Sequence, residues 1–531
     1  MATIAENLTL LKSTKAGIKA AIEAKGVSNV GDKFSDYPAK IASIPTGGGG
    51  VSQWTGTVDR AGLTELGWST TDIDNLQANV RWYDWQDPDY TVVDADKSIT
   101  DISQYKDNKD VRYAKMLDTS QVTSMESKFN GCSRLISIPT LDTSQATNMF
   151  GMFYSCSRLT SIPALDTSKV TNTGGMFGGC TSLTSIPTLD TSQVTGMNIM
   201  FQGCTSLTSI PTLDTSQVTR MDSMFRNCTR LTTIPTLNTS KVTNMENMFY
   251  GCSSLTTIPA LDTSQVTDMN SMFRTCTNLT TIPALNTSQV TDMKNMFVSC
   301  TRLTSIPTLD TSQVTNMNSM FYSCTNLTTI PALNTSKVTN MGGMFISCSR
   351  LTSIPALDTS KVTDMYSMFN SCTSLTSIPT LDTSKVTNMS YMFQGCTSLT
   401  SIPALDTSKV TNMKNMFVSC SSLTSIESID FSSCTNTDYM FPSYTNYSKL
   451  TSIHVTGSIS FSWTSGGFSS IPNLDFNSIK SILEAMNRCT NPETAKTMSF
   501  NSTLTDQDSQ LTNLVSECYG KGWTITGLTI N

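Results

Sequence analysis

A phrase of 24 residues, LDTSxVTxMxxMFxxCxxLTSIPx, begins at Leu117 and returns at Leu141, Leu165, Leu189, Leu213, Leu237, Leu261, Leu285, Leu309, Leu333, Leu357, Leu381 and Leu405, with a decayed copy from Ile429. One copy is too short to bury its own apolar residues, so each must stack them on the next. The period therefore specifies a solenoid. The Leu, Val, Met, Met, Phe, Cys, Leu and Ile of each copy are expected to point inward and to form ladders along the axis. Phe129, Phe153, Phe177 and their counterparts to Phe441 make one such ladder.

Val-Thr-x-Met and Leu-Thr-Ser-Ile are short alternating runs rich in Thr and β-branched residues, which predicts one or two short parallel strands per coil and little helix. Pro139 and its counterparts to Pro403 follow the strand Ile, where a missing N–H and a fixed φ turn the corner. The Asp of LDTS is Asn at Asn238, Asn286 and Asn334. That exchange preserves an Asx-turn acceptor and would destroy a catalytic carboxylate, so the position reads as a turn. Thirteen of the 16 cysteines, Cys132 to Cys420, share the period. Coils about 4.8 Å apart bring neighbouring sulfurs near disulfide range, but parallel in-register side chains bridge poorly. The row is expected to be reduced core packing. Cys434, Cys489 and Cys518 lie outside the pattern.

Several function classes drop out. A net charge of -6 without a basic run removes the footprint of nucleic-acid binding, and no segment approaches the roughly 20 apolar residues of a membrane span. With His454 as the one histidine and no CxxC, neither a metal site nor a cofactor is expected, and no enzymatic activity. Asp84 with Asp87, and Asp94 with Asp96, read as turn or solvated residues. The N-terminus shows neither a secretory h-region nor a lipobox cysteine, so release by lysis is expected rather than export.

The flanks differ from the repeat. Residues 1–46 read as a helical docking or oligomerisation head, with Leu11, Ile18 and Ile22 on one helix face and Gly26 ending it. Residues 47–50 are four glycines and form a flexible joint. Residues 51–116 hold Trp54, Trp68, Trp82 and Trp85 and read as a compact adaptor, with Ser69 and Asp72 as a capping box. The solenoid is expected over 117–452. In 453–531, Ile479, Ile482, Leu483 and Met486, then Leu511, Leu514, Val515 and Cys518, predict two helices, the second ending at Gly520. The closing GWTITGLTI predicts a strand, and the segment is expected to cap the solenoid's open end.

The unit LDTSKVTNMxxMFxxCxSLTSIP resembles the BspA-like bacterial surface-protein leucine-rich repeat, also found in mycoplasma lipoproteins. The resemblance implies a mainly β leucine-rich-repeat solenoid of about 14 coils, here with a small helical N-terminal head, a Trp-rich α+β adaptor and a C-terminal α/β cap. It also implies adhesion, with protein or glycan as ligand. LLKSTKAGIKAAIEAKGVSNVGDKFSDYPAKIASI and GWSTTDIDNLQANVRWYDWQDPDY resemble segments of tail and fibre proteins of gut Bacteroidales (crAss-like) bacteriophages. This second resemblance implies a virion fibre or appendage on head or tail, made in the host cytoplasm. Residues 1–116 would then dock on other virion proteins and assemble a dimer or trimer, while the solenoid meets a bacterial surface glycan or protein. A bacterial surface adhesin and a purely structural virion protein are the alternatives. The variable positions between the Met residues and around Cys form the candidate binding face: Tyr154, Arg226, Tyr250, Arg274, Tyr322, Tyr366, Tyr391 and Gln394. Tyr and Arg dominate interface hot spots, and aromatic faces suit sugar rings.

Overall fold

The computed structural model describes residues 119–463, 467–489, 496–506 and 509–531. The head, the glycine joint and the adaptor expected over 1–116 lie outside the described residues.

Nearly every inward position of the repeat is buried, with Ile162, Ile234 and Lys128, which stands in a Met column, only half-buried. In the coil that starts at Leu261 the buried positions are Leu261, Val266, Met269, Met272, Phe273, Cys276, Leu279 and Ile282. The Phe rings stack from Phe129 to Phe441 with centroids 5.2–5.9 Å apart and planes within 17° of parallel. Each such offset pair adds about 0.5–1.5 kcal/mol to the burial of its rings. None of the cysteines forms a disulfide, and all are buried. Their thiols do more than fill space. Each from Cys156 to Cys420 donates to the carbonyl of the Phe in the coil before, as Cys276 Sγ does to Phe249 O at 3.0 Å.

The backbone joins coils differently from the expected strands. The Val-Thr-x-Met runs meet only as single-residue parallel bridges, stepping from Ser124 to Asn148 and onward to Asn436. The Leu-Thr-Ser-Ile runs form no strand until β1 (Ser401–Ile402) and β2 (Ser425–Asp430). Proline explains the shortfall. Each earlier coil places Pro directly after the Ile, where it has no N–H to lend to a ladder, whereas the coil of β2 has Glu427 there and its strand runs on to Asp430.

The main inter-coil ladder lies in the MxxMFxxC segment. Met125, Ser127, Phe129 and Gly131 donate their N–H groups to the carbonyls of Asn148, Phe150, Met152 and Tyr154 in the next coil, at 2.8–2.9 Å. The intervening residues close tight turns, as Lys128 N–H does on Met125 O at 3.3 Å. Every second N–H faces forward because residues at two positions per coil take left-handed backbone, here Ser127 (φ 54°) and Gly131 (φ 76°).

Asx turns fix the corners. Asp142 Oδ1 accepts from Ser144 N–H at 3.0 Å, and Asn238, Asn286 and Asn334 do the same for Ser240, Ser288 and Ser336 at 3.1–3.2 Å. The carboxyls in these turns, Asp190 and Asp262 among them, are held below the usual carboxylate range by the Ser N–H they accept. The buried Thr that follows donates to the next coil, as Thr263 Oγ1 does to Asn286 O at 2.7 Å.

Beyond the coils, β1, β2 and β3 (Ser452–Thr456) form a parallel sheet in that order. The solenoid boundary expected at 452 thus falls at the start of a strand that continues the stack. Helix α1 (Phe476–Asn487), opened by Asp475 as N-cap, lies along β3. Its Ser478 and Ser481 hydroxyls accept the N–H groups of Ile453 and Val455, which β3 would otherwise leave unpaired. Phe431, Phe441, Phe461, Trp463 and Phe468 fill the junction with edge-to-face contacts. Strand β4 (Lys496–Leu504), not anticipated from the sequence, pairs in parallel with β5 (Trp523–Ile530). Helix α2 (Gln510–Gly520) connects them. Gly520 is its last residue rather than its stop; the left-handed residue that ends it is Gly522 (φ 84°).

Candidate binding face

Four residues between the first Met and the Cys of each coil vary, and the backbone withdraws two of them from free choice. The second residue after that Met and the residue before Cys are left-handed, for instance Ser271 (φ 55°) and Thr275 (φ 58°), then Asn295 (φ 57°) and Ser299 (φ 59°). These columns hold Gly, Ser and Asn almost throughout, because a larger side chain in that conformation meets its own backbone. Ile199 (φ 51°), Tyr391 (φ 60°) and Tyr439 (φ 52°) are exceptions. Real freedom is left to two columns: the residue directly after the first Met and the residue directly after Phe.

A third column looked variable in the sequence and is not. The x of Val-Thr-x-Met is mostly Asn or Asp because its side chain accepts the N–H two residues on, as Asn244 does from Glu246 at 2.8 Å and Asp268 from Asn270 at 2.9 Å. Burial raises the Asp268 carboxyl above its ordinary value. Burial first, and Asp268 second, raise that of Glu246.

Six of the expected face residues, Tyr154, Arg226, Tyr250, Arg274, Tyr322 and Gln394, occupy the column after Phe; Tyr366 sits after the first Met and Tyr391 in a left-handed column. Only Tyr322 and Tyr366 are exposed, at 36% and 43%, while the other six are half-buried against neighbouring coils. The coils bring three of them into one stack. The guanidinium of Arg226 lies 5.0 Å from the centre of the Tyr250 ring, and that of Arg274, from the coil on the other side, lies 5.5 Å from it. Tyr366 and Tyr391 meet edge to face at 5.7 Å. Gln394 Oε1 accepts from Asn370 Nδ2 at 3.1 Å, and the Tyr154 ring covers Gly178, where a Cβ would collide with it.

Two exposed tyrosines that follow the coils were not among the expected face residues. Tyr439, 63% exposed, continues the Tyr391 column, and Tyr444, 72% exposed, stands where the next Cys of the series would fall. Their signal was the continuation of the period through the decayed copy. His454 is exposed on β3. An open cleft of about 330 Å³ beside Asp406 and Asp430 has its carboxylates committed to turns, Asp406 to Ser408 and Asp430 to Ser432.

Within the described residues no helix is long and apolar enough to cross a membrane. No curated protein matches the chain. Among solved structures it is similar to a leucine-rich repeat protein of T. pallidum, at 19% identity and TM-score 0.23, covering 36% of this chain and 76% of that one. It is also similar to a leucine-rich repeat protein from Eubacterium ventriosum, at 19% identity and TM-score 0.31, covering 69% and 92%. A protein family described as "Mycoplasma protein of unknown function, DUF285" matches residues 97–208, 180–282, 253–354, 277–375 and 348–454. These stretches run unbroken across about two thirds of the sequence and include every full copy of the 24-residue unit, so the chain belongs to the DUF285 family of repeat proteins.

Proposed function

We propose that this chain is a non-catalytic attachment protein, a bacteriophage virion fibre or appendage whose solenoid carries one binding face to the bacterial surface. The observation that carries the reading is the confinement of variation. Packing, Asx turns and left-handed corners hold most of the 24 positions nearly constant, while the free column directly after Phe carries Tyr or Arg in five copies, at Tyr154, Arg226, Tyr250, Arg274 and Tyr322. Drift alone would favour small polar residues on such a face, whereas interface hot spots favour Tyr and Arg. The likeness of residues 1–116 to phage tail and fibre proteins supplies the virion context, in which that segment docks on the particle and joins two or three copies.

The test is to divide a producing culture into particle, envelope and soluble fractions and to quantify the chain by mass spectrometry. Recovery with purified particles, in fixed proportion to capsid protein, is the expected result. Recovery with the envelopes of unlysed cells would instead make the chain a bacterial surface adhesin, the reading that the resemblance to bacterial surface-protein repeats favours.

A further inference from the structure

We infer that Cys489 and Lys496 are a modification site, a pair that hydrogen peroxide joins through a sulfur–nitrogen bond, stapling the end of helix α1 to the start of strand β4. The pair lies apart from the binding face and does not depend on the attachment reading. Lys496, the first residue of β4, is the one charged residue buried among the described residues, with 9% of its surface exposed. A buried ammonium is costly to hold unless a carboxylate or several acceptors meet it. Here neither does. The ion pairs of the described residues are Arg220 with Asp222 and Arg488 with Glu484. Lys496 Nζ instead meets the Cys489 sulfur at 3.6 Å and the face of the Trp523 ring, 5.8 Å from its centre.

The thiol is as unusual as the amine. Cys156 to Cys420, Cys434 and Cys518 turn their sulfurs onto backbone carbonyls, whereas that of Cys489 faces a nitrogen nucleophile. Cys489 is also the most exposed of the 16 cysteines, at 7% against 4% for Cys434 and 0% for the others, so a small oxidant reaches it first. The two elements hold the pair together. Met486 O, near the end of α1, accepts the N–H of Cys489 at 3.1 Å and the indole N–H of Trp523 at 3.3 Å, and Trp523 is the β5 residue that pairs with Lys496.

The chemistry balances in two stages. The Cys489 sulfur takes one oxygen from hydrogen peroxide, whose O–O bond breaks, giving a sulfenic acid and one water. Lys496, as the free amine, then attacks that sulfur: the S–N bond forms, the S–O bond breaks, and the hydroxyl leaves with an amine proton as a second water. Sulfur gives up the two electrons that the peroxide accepts. An amine already in contact with the sulfur closes the bond ahead of any reductant that must arrive from solution.

The test treats the full chain, freed of reductant, with a small excess of hydrogen peroxide, cleaves it after Glu484, Glu493 and Glu517, and maps the peptides by mass spectrometry. Peptides 485–493 and 494–517 should be found joined, two hydrogens lighter than the two together, and dithiothreitol should part them. The joined chain should melt a few degrees above the reduced one, because closing the loop from Cys489 to Lys496 restrains the unfolded state. Lys496→Gln should lose the joined species and carry Cys489 on to sulfinic and sulfonic acids. The wild-type digest decides the matter by itself should that variant not fold. Cys489 oxidised without joining Lys496, or left intact while other cysteines are oxidised, would overturn the proposal. Joined peptides with no rise in melting temperature would overturn the staple.

Discussion

At the scale of single residues, the cysteine column shows how one side chain serves packing and hydrogen bonding together. A thiol small enough for the core also donates to the Phe carbonyl of the preceding coil, a group that already accepts the N–H of its own coil's Cys, as Phe249 O does from Cys252 at 3.0 Å. At the end of the series, where Cys would fall at Tyr444, the hydroxyl of Tyr447 donates to Phe417 O at 2.9 Å in its place. The packing role was legible from the period and from the absence of metal-ligand spacing; the donor role was not, because a sequence does not show which carbonyl a thiol faces. A pH dependence follows. Burial raises these thiols, that of Cys204 from 9.0 to about 12 and that of Cys300 likewise, so the folded state holds its protons more tightly than the unfolded chain does. Their stabilisation is therefore complete below 9.0 and is lost as pH rises through the folded values, at up to about 1.4 kcal/mol per thiol for each unit. Melting temperatures followed upward from neutral pH should hold level to about 9 and then fall steeply as many thiols contribute together. A level profile through pH 11 or so would refute this account of the column.

At the scale of the element, each coil is assembled from corners more than from strands. Asx turns at Asp or Asn were readable because these residue types have one dominant local use. The alternation of left-handed residues was not read, although its mark was present: the residue before Cys is Gly at Gly131, Gly179, Gly203, Gly251 and Gly395, and otherwise a Ser, Asn or Thr. The same omission blurred the binding face, since a left-handed column and a free column look equally variable until the backbone is known. Gly203 separates conformation from crowding. Its φ is 73°, and an added Cβ would sit 3.6 Å from the nearest atom, the Cα of Gly179, an ordinary contact. Gly203→Asn should be nearly neutral, whereas Gly203→Val should cost about 1–2 kcal/mol in denaturant melts, from backbone strain alone. Equal cost for the two would show that space rather than φ selects glycine there.

At the scale of the whole molecule, the solenoid is a chain of nearest-neighbour contacts, so its stability is close to a sum over coils and the interfaces between them. Removing residues 261–284 should give a shorter folded protein in which Phe249 stacks on Phe297, visible as an unchanged circular dichroism shape with a modestly lower melting temperature. Removing 261–272 alone breaks the period, puts Met and Phe out of register with their ladders, and should abolish cooperative melting; survival of both deletions alike would mean that the ladders do not set the register. The repeat made the solenoid and its inward ladders legible, but not the replacement of strands by single bridges between coils. The Arg226–Tyr250–Arg274 stack was legible only as members of one column, because contact between them depends on how far each side chain leans toward the next coil. The forward ladder has one more consequence. Its N–H groups all face the C-terminal neighbour, as from Met125 to Asn148 and from Asn415 to Asp438. Four such N–H groups per coil outnumber the Thr N–H groups that face back, as Thr147 N–H does to Thr123 O, so the ladder's amide dipoles leave a net sum along the axis, with amide hydrogens leading at one end and carbonyls trailing at the other. The rod is thus electrically polar, and its two ends call for opposite chemistry. At the hydrogen-bearing end, the Thr445 hydroxyl meets the N–H of Ser419 as an acceptor.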